Sequence, residues 1–119
     1  MFAKSEMTDF ELFSAAGSLP VHDVLAIRTW LTPDKTLFTF LDDEGEECNR
    51  LTYLDLWRRC RAVGASLAAV SDPGDRIMLF YPPGLDFISA FIGCLMVGRV
   101  AVPSNLPARR RVDRSVNIV

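Results

Sequence analysis

Apolar residues recur three or four positions apart over residues 52–70, and this is the clearest pattern in the chain. Thr52 can accept a hydrogen bond from the backbone at the start of a helix, and Asp55, three residues later, completes a capping-box sequence. The pattern therefore predicts an amphipathic helix from Thr52 to about Val70. The apolar stripe of this helix consists of Tyr53, Leu56, Trp57, Cys60, Val63, Gly64 and Leu67.

A second pattern lies between residues 76 and 102, where the sequence is mostly apolar. Residues 76–81 form a short apolar run, which is typical of a strand buried on both faces. Pro82-Pro83-Gly84 ends the run, because proline cannot donate to a strand ladder. A helix that is apolar on every side follows over residues 86–97, and residues 100–102 form a second buried strand. Strand, helix and strand in this order predict a βαβ unit with two parallel strands.

The segment before residue 52 predicts a short helix and a β-hairpin. The helix covers Val21–Thr32, and the two strands of the hairpin cover Leu37–Leu41 and Cys48–Leu51, with an acidic, glycine-containing turn between them. Residues 1–19 have only weak helical character, so we expect a weakly ordered extension or a short helix there. The remaining residues, 20–119, are expected to form an incomplete N-terminal subdomain.

Together these elements predict an α/β fold that is the start of a larger domain. A βαβ unit whose helix is apolar all round needs more sheet and a further layer of helices. The rest of the sequence barely supplies them. The alternative is that a partner chain or a second copy of the protein covers the helix over residues 86–97, because large uncovered apolar patches mark interaction surfaces.

Composition and charge exclude some classes of protein. Half of the residues are hydrophobic and the net charge is -2, which is the composition of a folded domain and not of a disordered tail. Residues 1–50 carry ten acidic and four basic side chains, whereas residues 51–119 carry five acidic and nine basic ones. The basic segment ARRRVDR lacks the interleaved aromatic residues of single-strand binders, so we expect no nucleic-acid partner.

The sequence predicts a cytoplasmic protein without a membrane span. The apolar stretch Phe87–Val97 is shorter than the about 20 residues that a spanning helix needs, and the first residues contain no apolar stretch of signal-peptide length. The spacings of the three cysteines, Cys48, Cys60 and Cys94, match no zinc or disulfide pattern. We expect free, buried thiols in a reducing compartment.

No residue pattern supplies a catalytic centre. The turn P-P-G-L-D has one glycine and no lysine, so it matches neither a Walker loop nor G-x-G-x-x-G. His22 is the only histidine, and no cysteine lies near it in sequence, which argues against a metal or triad role. The acids of DDEGEE are contiguous, which is typical of a charged hairpin tip and not of a calcium loop. We assign no catalytic, cofactor-binding or metal-binding residue to this chain.

Three segments resemble adenylate-forming enzymes, the AMP-dependent synthetase and ligase superfamily. LTYLDLWRRCRAVGASLAA is similar to the early helix of these enzymes, whose usual pattern is L-T-Y-x-x-L followed by an alanine-rich amphipathic helix. GDRIMLFYPPGLDFISAFIGCLMVGRVAVP and the hairpin FTFLDDEGEE resemble the fatty acyl-AMP ligase branch. The resemblance runs from about Pro20 to Arg111. Leu106 replaces a usual proline, and Met96 and Arg99 stand where small or apolar residues are usual.

This resemblance implies a function for the complete enzyme. Such ligases activate a long-chain fatty acid with ATP and Mg²⁺, and they pass the acyl group to the phosphopantetheine arm of an acyl carrier protein. The family's phosphate loop, nucleotide contacts and catalytic lysine lie downstream of the segment that resembles this chain, so the chain alone is predicted to be inactive. In related acyl-CoA ligases the loop after the second strand approaches the thiol acceptor. This implies that Arg109, Arg110 and Arg111 lie near the phosphate of the carrier.

Two functions therefore remain open. The first is an N-terminal fragment of a fatty acyl-AMP ligase, which forms part of the α/β core of the large domain. The second is a stand-alone, non-catalytic interaction module that binds a partner through exposed faces of the helix over residues 86–97. Only the first explains the family-like series in residues 75–103.

Overall fold

The computed structural model describes residues 17–105, and these contain three helices and four strands. The first two strands pair antiparallel as a hairpin, and the last two pair parallel in a second two-stranded sheet. Each helix and strand predicted for residues 20–103 is present, with bounds that differ by one or two residues. In chain order the elements are α1 (Val21–Leu31), β1 (Thr36–Leu41), β2 (Glu47–Thr52), α2 (Tyr53–Val70), β3 (Arg76–Leu79), α3 (Leu85–Met96) and β4 (Val100–Pro103).

Helix α2 begins directly at the end of the hairpin, without a connecting loop. Thr52 is both the last residue of β2 and the N-cap of α2. The backbone N–H of Asp55 donates to Thr52 Oγ1 at 3.1 Å, and the backbone N–H of Thr52 donates to Asp55 Oδ2 at 3.2 Å. The predicted capping box is therefore confirmed, and it fixes the direction in which the helix leaves the hairpin.

Helix α3 lies between two clusters of buried residues, which explains why its sequence is apolar on all sides. Leu85 belongs to a cluster with residues of α1, β2 and α2, and Ile88 and Ile92 pack against that cluster. Ala90 and Cys94 belong to a second cluster with Leu79 of β3. Burial of each large apolar side chain contributes roughly 1.5–3 kcal/mol, so α3 is the element around which the described residues pack.

The coverage of α3 corrects one prediction. Asp86 is the only exposed residue of this helix, and every other position is buried or half-buried. The helix therefore exposes no large apolar face within residues 17–105, because α1, α2 and the β3–β4 sheet pack against it. A docking surface on this helix, as required by the interaction-module hypothesis, is not present in the described part of the chain.

The strands of the second sheet also differ from the prediction. We expected both to be buried on both faces, but Met78 of β3 and Val100 of β4 are exposed. Only the opposite face, which carries Leu79, packs against α3. The difference arises because residues 17–105 supply a helix for one face of this sheet and none for the other.

No helix within residues 17–105 is long and apolar enough to cross a membrane.

Candidate functional site

The turn between β3 and α3 lies against the hairpin, and the two enclose a cleft of about 280 Å³. Pro82 and Pro83 end the strand, and the backbone N–H of Ile88 then donates to the carbonyl of Gly84 in the first turn of α3. The cleft is thus at the N-terminus of a helix, a usual place for polar ligands. Its lining residues are Phe40, Cys48, Asn49, Pro82, Pro83, Gly84, Leu85 and Asp86.

The side chains in this cleft do not form a catalytic constellation. The thiol of Cys48 is exposed and donates to the backbone carbonyl of Phe40 at 3.3 Å. A nucleophilic thiol needs an adjacent base that takes its proton, and no histidine lines the cleft. His22, the one histidine of the sequence, is on α1, where its Nε2 is 3.8 Å from Asp23 Oδ1.

The charges at the start of α3 do not fit the phosphates of ATP. Asp86 is in the first turn of the helix, where its carboxylate meets the positive end of the helix dipole. Arg59 of α2 pairs with it, at 3.4 Å between Nη1 and Oδ1. A phosphate placed at these amides would be repelled by Asp86, and the turn offers no lysine that could compensate. We therefore assign no nucleotide step to this turn.

Metal-ligating side chains are also not clustered in the described part of the chain. Among residues 17–105, no group of three or more histidine, cysteine, aspartate or glutamate side chains is arranged to hold a metal ion. The acidic turn DDEGEE instead satisfies its own backbone, because Asp42 Oδ1 accepts from the N–H groups of Glu44 and Glu46 at 3.0 and 2.9 Å. The predicted charged hairpin tip is confirmed.

Arg99 has a structural role that the sequence analysis missed. Its side chain is buried, with 7% of the residue exposed. Nε donates to Ser71 Oγ at 3.0 Å, and the two terminal nitrogens donate to the backbone carbonyls of Val97 and Ser71. Arg99 thus joins the C-terminal end of α2 to the start of β4. The signal in the sequence was an arginine inside an apolar stretch, directly after Gly98, which has a positive φ of 70°.

The cysteines are in two environments, which corrects part of a prediction. All three are free, as expected, but Cys48 is exposed and only Cys60 and Cys94 are buried. Burial raises the pKa of the Cys60 thiol to about 11 and also raises the pKa of Cys94. A thiol with a raised pKa is a poor nucleophile, so both behave as small core residues.

The predicted carrier-binding residues, Arg109, Arg110 and Arg111, lie outside the described residues, as does most of the predicted extension over 1–19. The described part of the chain therefore provides a scaffold with an open cleft between the hairpin and the start of α3.

Comparison with known proteins identifies the family. A family model described as AMP-binding enzyme matches residues 28–112. The medium-chain-fatty-acid–[acyl-carrier-protein] ligase JamA of Moorena producens is 35% identical over 94 residues, which are 79% of this chain and 16% of JamA. The Disco-interacting protein 2 homolog A of Mus musculus is 41% identical over 87 residues, which are 71% of this chain and 6% of that protein.

A solved structure shows the same fold. The fatty acyl-adenylate ligase from L. pneumophila, solved in complex with acyl adenylate and pyrophosphate, has 40% sequence identity and a TM-score of 0.70. The match covers 83% of this chain and 18% of that ligase. The chain thus spans less than a fifth of the length of each of these proteins. It belongs to the AMP-binding enzyme family of adenylate-forming enzymes, in the fatty acyl-AMP ligase branch, and corresponds to an N-terminal fragment of such a ligase.

Proposed function

We propose that the chain acts as the N-terminal part of a fatty acyl-AMP ligase, with residues 20–119 belonging to the N-terminal subdomain. In the complete enzyme, the carboxylate of a long-chain fatty acid displaces pyrophosphate from ATP in the presence of Mg²⁺ and forms an acyl-adenylate. The phosphopantetheine thiol of an acyl carrier protein then displaces AMP, so that the acyl group leaves as a thioester.

The observation that carries this proposal is the match of the described residues to the L. pneumophila ligase. At 40% identity and a TM-score of 0.70, the match includes both sequence and fold, and that ligase was solved with acyl adenylate and pyrophosphate. The name of JamA adds support for a carrier protein as the acyl acceptor. These names support a fatty acid as the substrate. A long acyl chain is what the sequence resemblance implies.

In this proposal the chain contributes a core and no reacting group. The α2–α3 pair and the β3–β4 sheet form a rigid edge of the large domain, and the other parts of the ligase hold ATP and Mg²⁺. The chain by itself does not adenylate fatty acids, because the phosphate loop, the nucleotide contacts and the catalytic lysine of the family that it resembles lie downstream of the matching segment. We place the protein in the cytoplasm, where Cys48, Cys60 and Cys94, all free, remain reduced.

We further propose that Arg109, Arg110 and Arg111 bind the phosphate of the carrier's phosphopantetheine arm. Guanidinium groups bind phosphate oxygens through charge-assisted, often bidentate hydrogen bonds. The three arginines follow β4 in sequence, and the loop after this strand approaches the thiol acceptor in the acyl-CoA ligases that the sequence resembles.

A chimera tests the proposed function on a complete enzyme. Residues 20–112 of this chain replace the matching segment of the L. pneumophila ligase, and we call the product the ligase chimera. We expect fatty-acid-dependent ATP–pyrophosphate exchange from the ligase chimera and none from the 119-residue protein alone. Exchange by the 119-residue protein, or a folded but inactive chimera, would contradict the proposal.

A second candidate function is favoured by one relative. The Disco-interacting protein 2 homolog A is 41% identical over 87 residues and carries the name of an interacting protein instead of a ligase. By this alternative the chain is a non-catalytic interaction module that binds its partner through a surface other than α3, because the apolar residues of α3 are covered within residues 17–105. Cooperative unfolding of the isolated protein as a monomer, together with an inactive ligase chimera, would favour the module over the ligase fragment.

A further inference from the structure

The first three turns of α2 carry a basic groove on their outer side. Its volume is about 470 Å³, and we call its lining residues the basic groove: Leu54, Trp57, Arg58, Arg61 and Ala62. Leu54 and Trp57 are half-buried, whereas both arginines are exposed. Within residues 17–105 neither Arg58 nor Arg61 forms a salt bridge, in contrast to Arg59. Two guanidinium groups beside an indole ring are therefore available to a partner.

The tip of the β1–β2 hairpin has the opposite charge and an apolar side chain of its own. Leu41, the last residue of β1, is 50% exposed. The exposed acidic residues Asp42, Asp43, Glu44 and Glu46 follow it directly. In the described part of the chain, the last three of these form no salt bridge. We call Leu41 and the four acidic residues the acidic tip.

The basic groove and the acidic tip match each other in both charge and polarity. The groove offers an apolar surface, made by Leu54 and Trp57, next to two positive charges. The tip offers an apolar side chain, Leu41, next to negative charges. Tryptophan and arginine are also the residue types that most often dominate the binding energy of a protein interface. Because each exposed ion pair contributes little, the apolar contact is needed together with the charges.

The tip and the groove of one chain cannot meet, because a strand holds them apart. β2 runs from the tip to Thr52, which is the N-cap of α2. Six residues of strand span roughly 20 Å. Two copies that lie side by side in opposite directions, however, bring each tip to the groove of the other. Such a contact is related by a twofold axis and occurs twice in the dimer.

We propose that the basic groove binds the acidic tip of a second copy of this protein, in a twofold-symmetric dimer. Leu41 of each protomer packs against the partner's Trp57, and the carboxylates that follow Leu41 pair with the partner's Arg58 and Arg61. The dimer is weak and depends on salt, because salt screens exposed charges. It therefore dissociates at the low protein concentrations of unfolding experiments. This inference goes beyond the proposed function and does not depend on it.

Reversal of single charges tests the proposal. Arg61→Glu changes the basic groove and Glu44→Lys changes the acidic tip. Asp72→Lys is the matched control for Glu44→Lys, because it makes the same change in net charge at an exposed position beyond the C-terminal end of α2. Leu41→Ser removes the apolar contact and keeps every charge. Sedimentation velocity over a range of protein concentrations measures the dimer Kd, at ionic strengths of about 0.02 M and about 0.5 M.

The unchanged protein should form dimers at low salt, and the Kd should rise by about tenfold or more at high salt. Arg61→Glu and Glu44→Lys should each raise the Kd by about tenfold, because like charges then face each other twice in the dimer. Leu41→Ser should also raise it, while Asp72→Lys should leave it within about twofold of the unchanged value. An equimolar mixture of Arg61→Glu and Glu44→Lys should associate again. In that mixed dimer one contact is unchanged and the other joins the two reversed charges.

Three results would overturn the inference. The first is the absence of dimers at protein concentrations up to about 0.5 mM at low salt. The second is a dimer that tolerates both reversals, and the third is a mixture that associates no better than each variant alone, since another surface would then join the copies. If the isolated protein precipitates, the same variants of the ligase chimera are measured and the same results decide.

The ligase chimera also separates this inference from the proposed function. An active chimera that stays monomeric at low salt would overturn the dimer and leave the ligase function in place. A folded chimera that forms the dimer but no acyl-adenylate would support the dimer and contradict the function.

Discussion

Gly93 of α3 lies against Val63 of α2 so closely that no side chain fits between the two helices. A β-carbon on Gly93 would stand 2.9 Å from Cβ of Val63 and 3.0 Å from the carbonyl oxygen of Cys60. Gly64 has a similar position on α2, because its β-carbon would be 3.3 Å from the carbonyl oxygen of Gly93. The close approach of α2 and α3 therefore depends on the two glycines.

Gly93→Ala should destabilise the protein even though the helix propensity of alanine is more favourable than that of glycine by about 1 kcal/mol. The contacts are with a β-carbon and a backbone atom, which cannot swing away, and overpacking of this kind costs about 1–3 kcal/mol. We expect a net loss of about 1 kcal/mol in the free energy of unfolding, measured by urea titration. Ser66→Ala, on the exposed face of α2, should change it by less than about 0.5 kcal/mol.

An unchanged or higher stability of Gly93→Ala would show that α2 and α3 can move apart without a loss of unfolding free energy. The close contact described here would then not be required for the packing.

Arg99→Met should destabilise the protein by about 2 kcal/mol, because it leaves the carbonyls of Ser71 and Val97 without their buried donor. Arg99→Lys should recover only part of the loss, since an ammonium group cannot reproduce the planar set of donors. Arg61→Met, at an exposed position of α2, is the matched control. Equal unfolding free energies for the variants at positions 99 and 61 would contradict the role of Arg99.

The extent to which the structure could be predicted from the sequence differs between elements. The capping residues Thr52 and Asp55 and the apolar stripe of α2 are local signals, and both are present in the structure as predicted. The role of Arg99 depends on Ser71, which is 28 residues away in sequence, and no local pattern contains such a contact. The cleft beside Asn49 likewise arises from the packing of the hairpin on a distant turn.

Burial was harder to predict than secondary structure. The apolar run containing Met78 predicted two covered faces, because such runs are typical of central parallel strands. The apolar run is suited to a strand with both faces covered. Residues 17–105 cover only one face of the β3–β4 sheet. Cys48 was likewise expected to be buried, but it lies on β2 beside the open cleft.

The stability of the protein should depend on the ionisation of Asp55. The hydrogen bonds from the backbone and the side chain of Thr52 lower the pKa of the Asp55 carboxyl from its ordinary value of 3.8. A lowered pKa in the folded state contributes stability above pH 3.8, and this contribution is lost as the pH falls through the lowered value.

The test compares Asp55→Asn with the unchanged protein. Between about pH 6 and about pH 2.5 the unchanged protein should lose more unfolding free energy than Asp55→Asn. The other carboxylates titrate in both proteins, whereas at position 55 the aspartate titrates in this range and the asparagine does not. Chemical unfolding at both pH values measures the difference. Equal losses in the two proteins would show that the capping hydrogen bonds do not favour the ionised carboxyl.

Replacement of Arg109, Arg110 and Arg111 by alanine in the ligase chimera should separate the two half-reactions. We expect slower transfer of the acyl group to the carrier protein, because the phosphate of its arm loses charge-assisted hydrogen bonds. Formation of the acyl-adenylate should be unchanged. Single-turnover assays measure both steps, and Arg58→Ala with Arg61→Ala, on exposed positions of α2, is the control for loss of positive charge. Unchanged transfer would contradict the proposed contact.

The central claim is that this chain forms a working part of a fatty acyl-AMP ligase, and fatty-acid-dependent ATP–pyrophosphate exchange by the ligase chimera tests it most directly. We predict exchange within about tenfold of the unmodified ligase, a difference of about 1.4 kcal/mol in the barrier, and none from the 119-residue protein alone. A folded chimera without exchange, or exchange by the isolated protein, would contradict the claim.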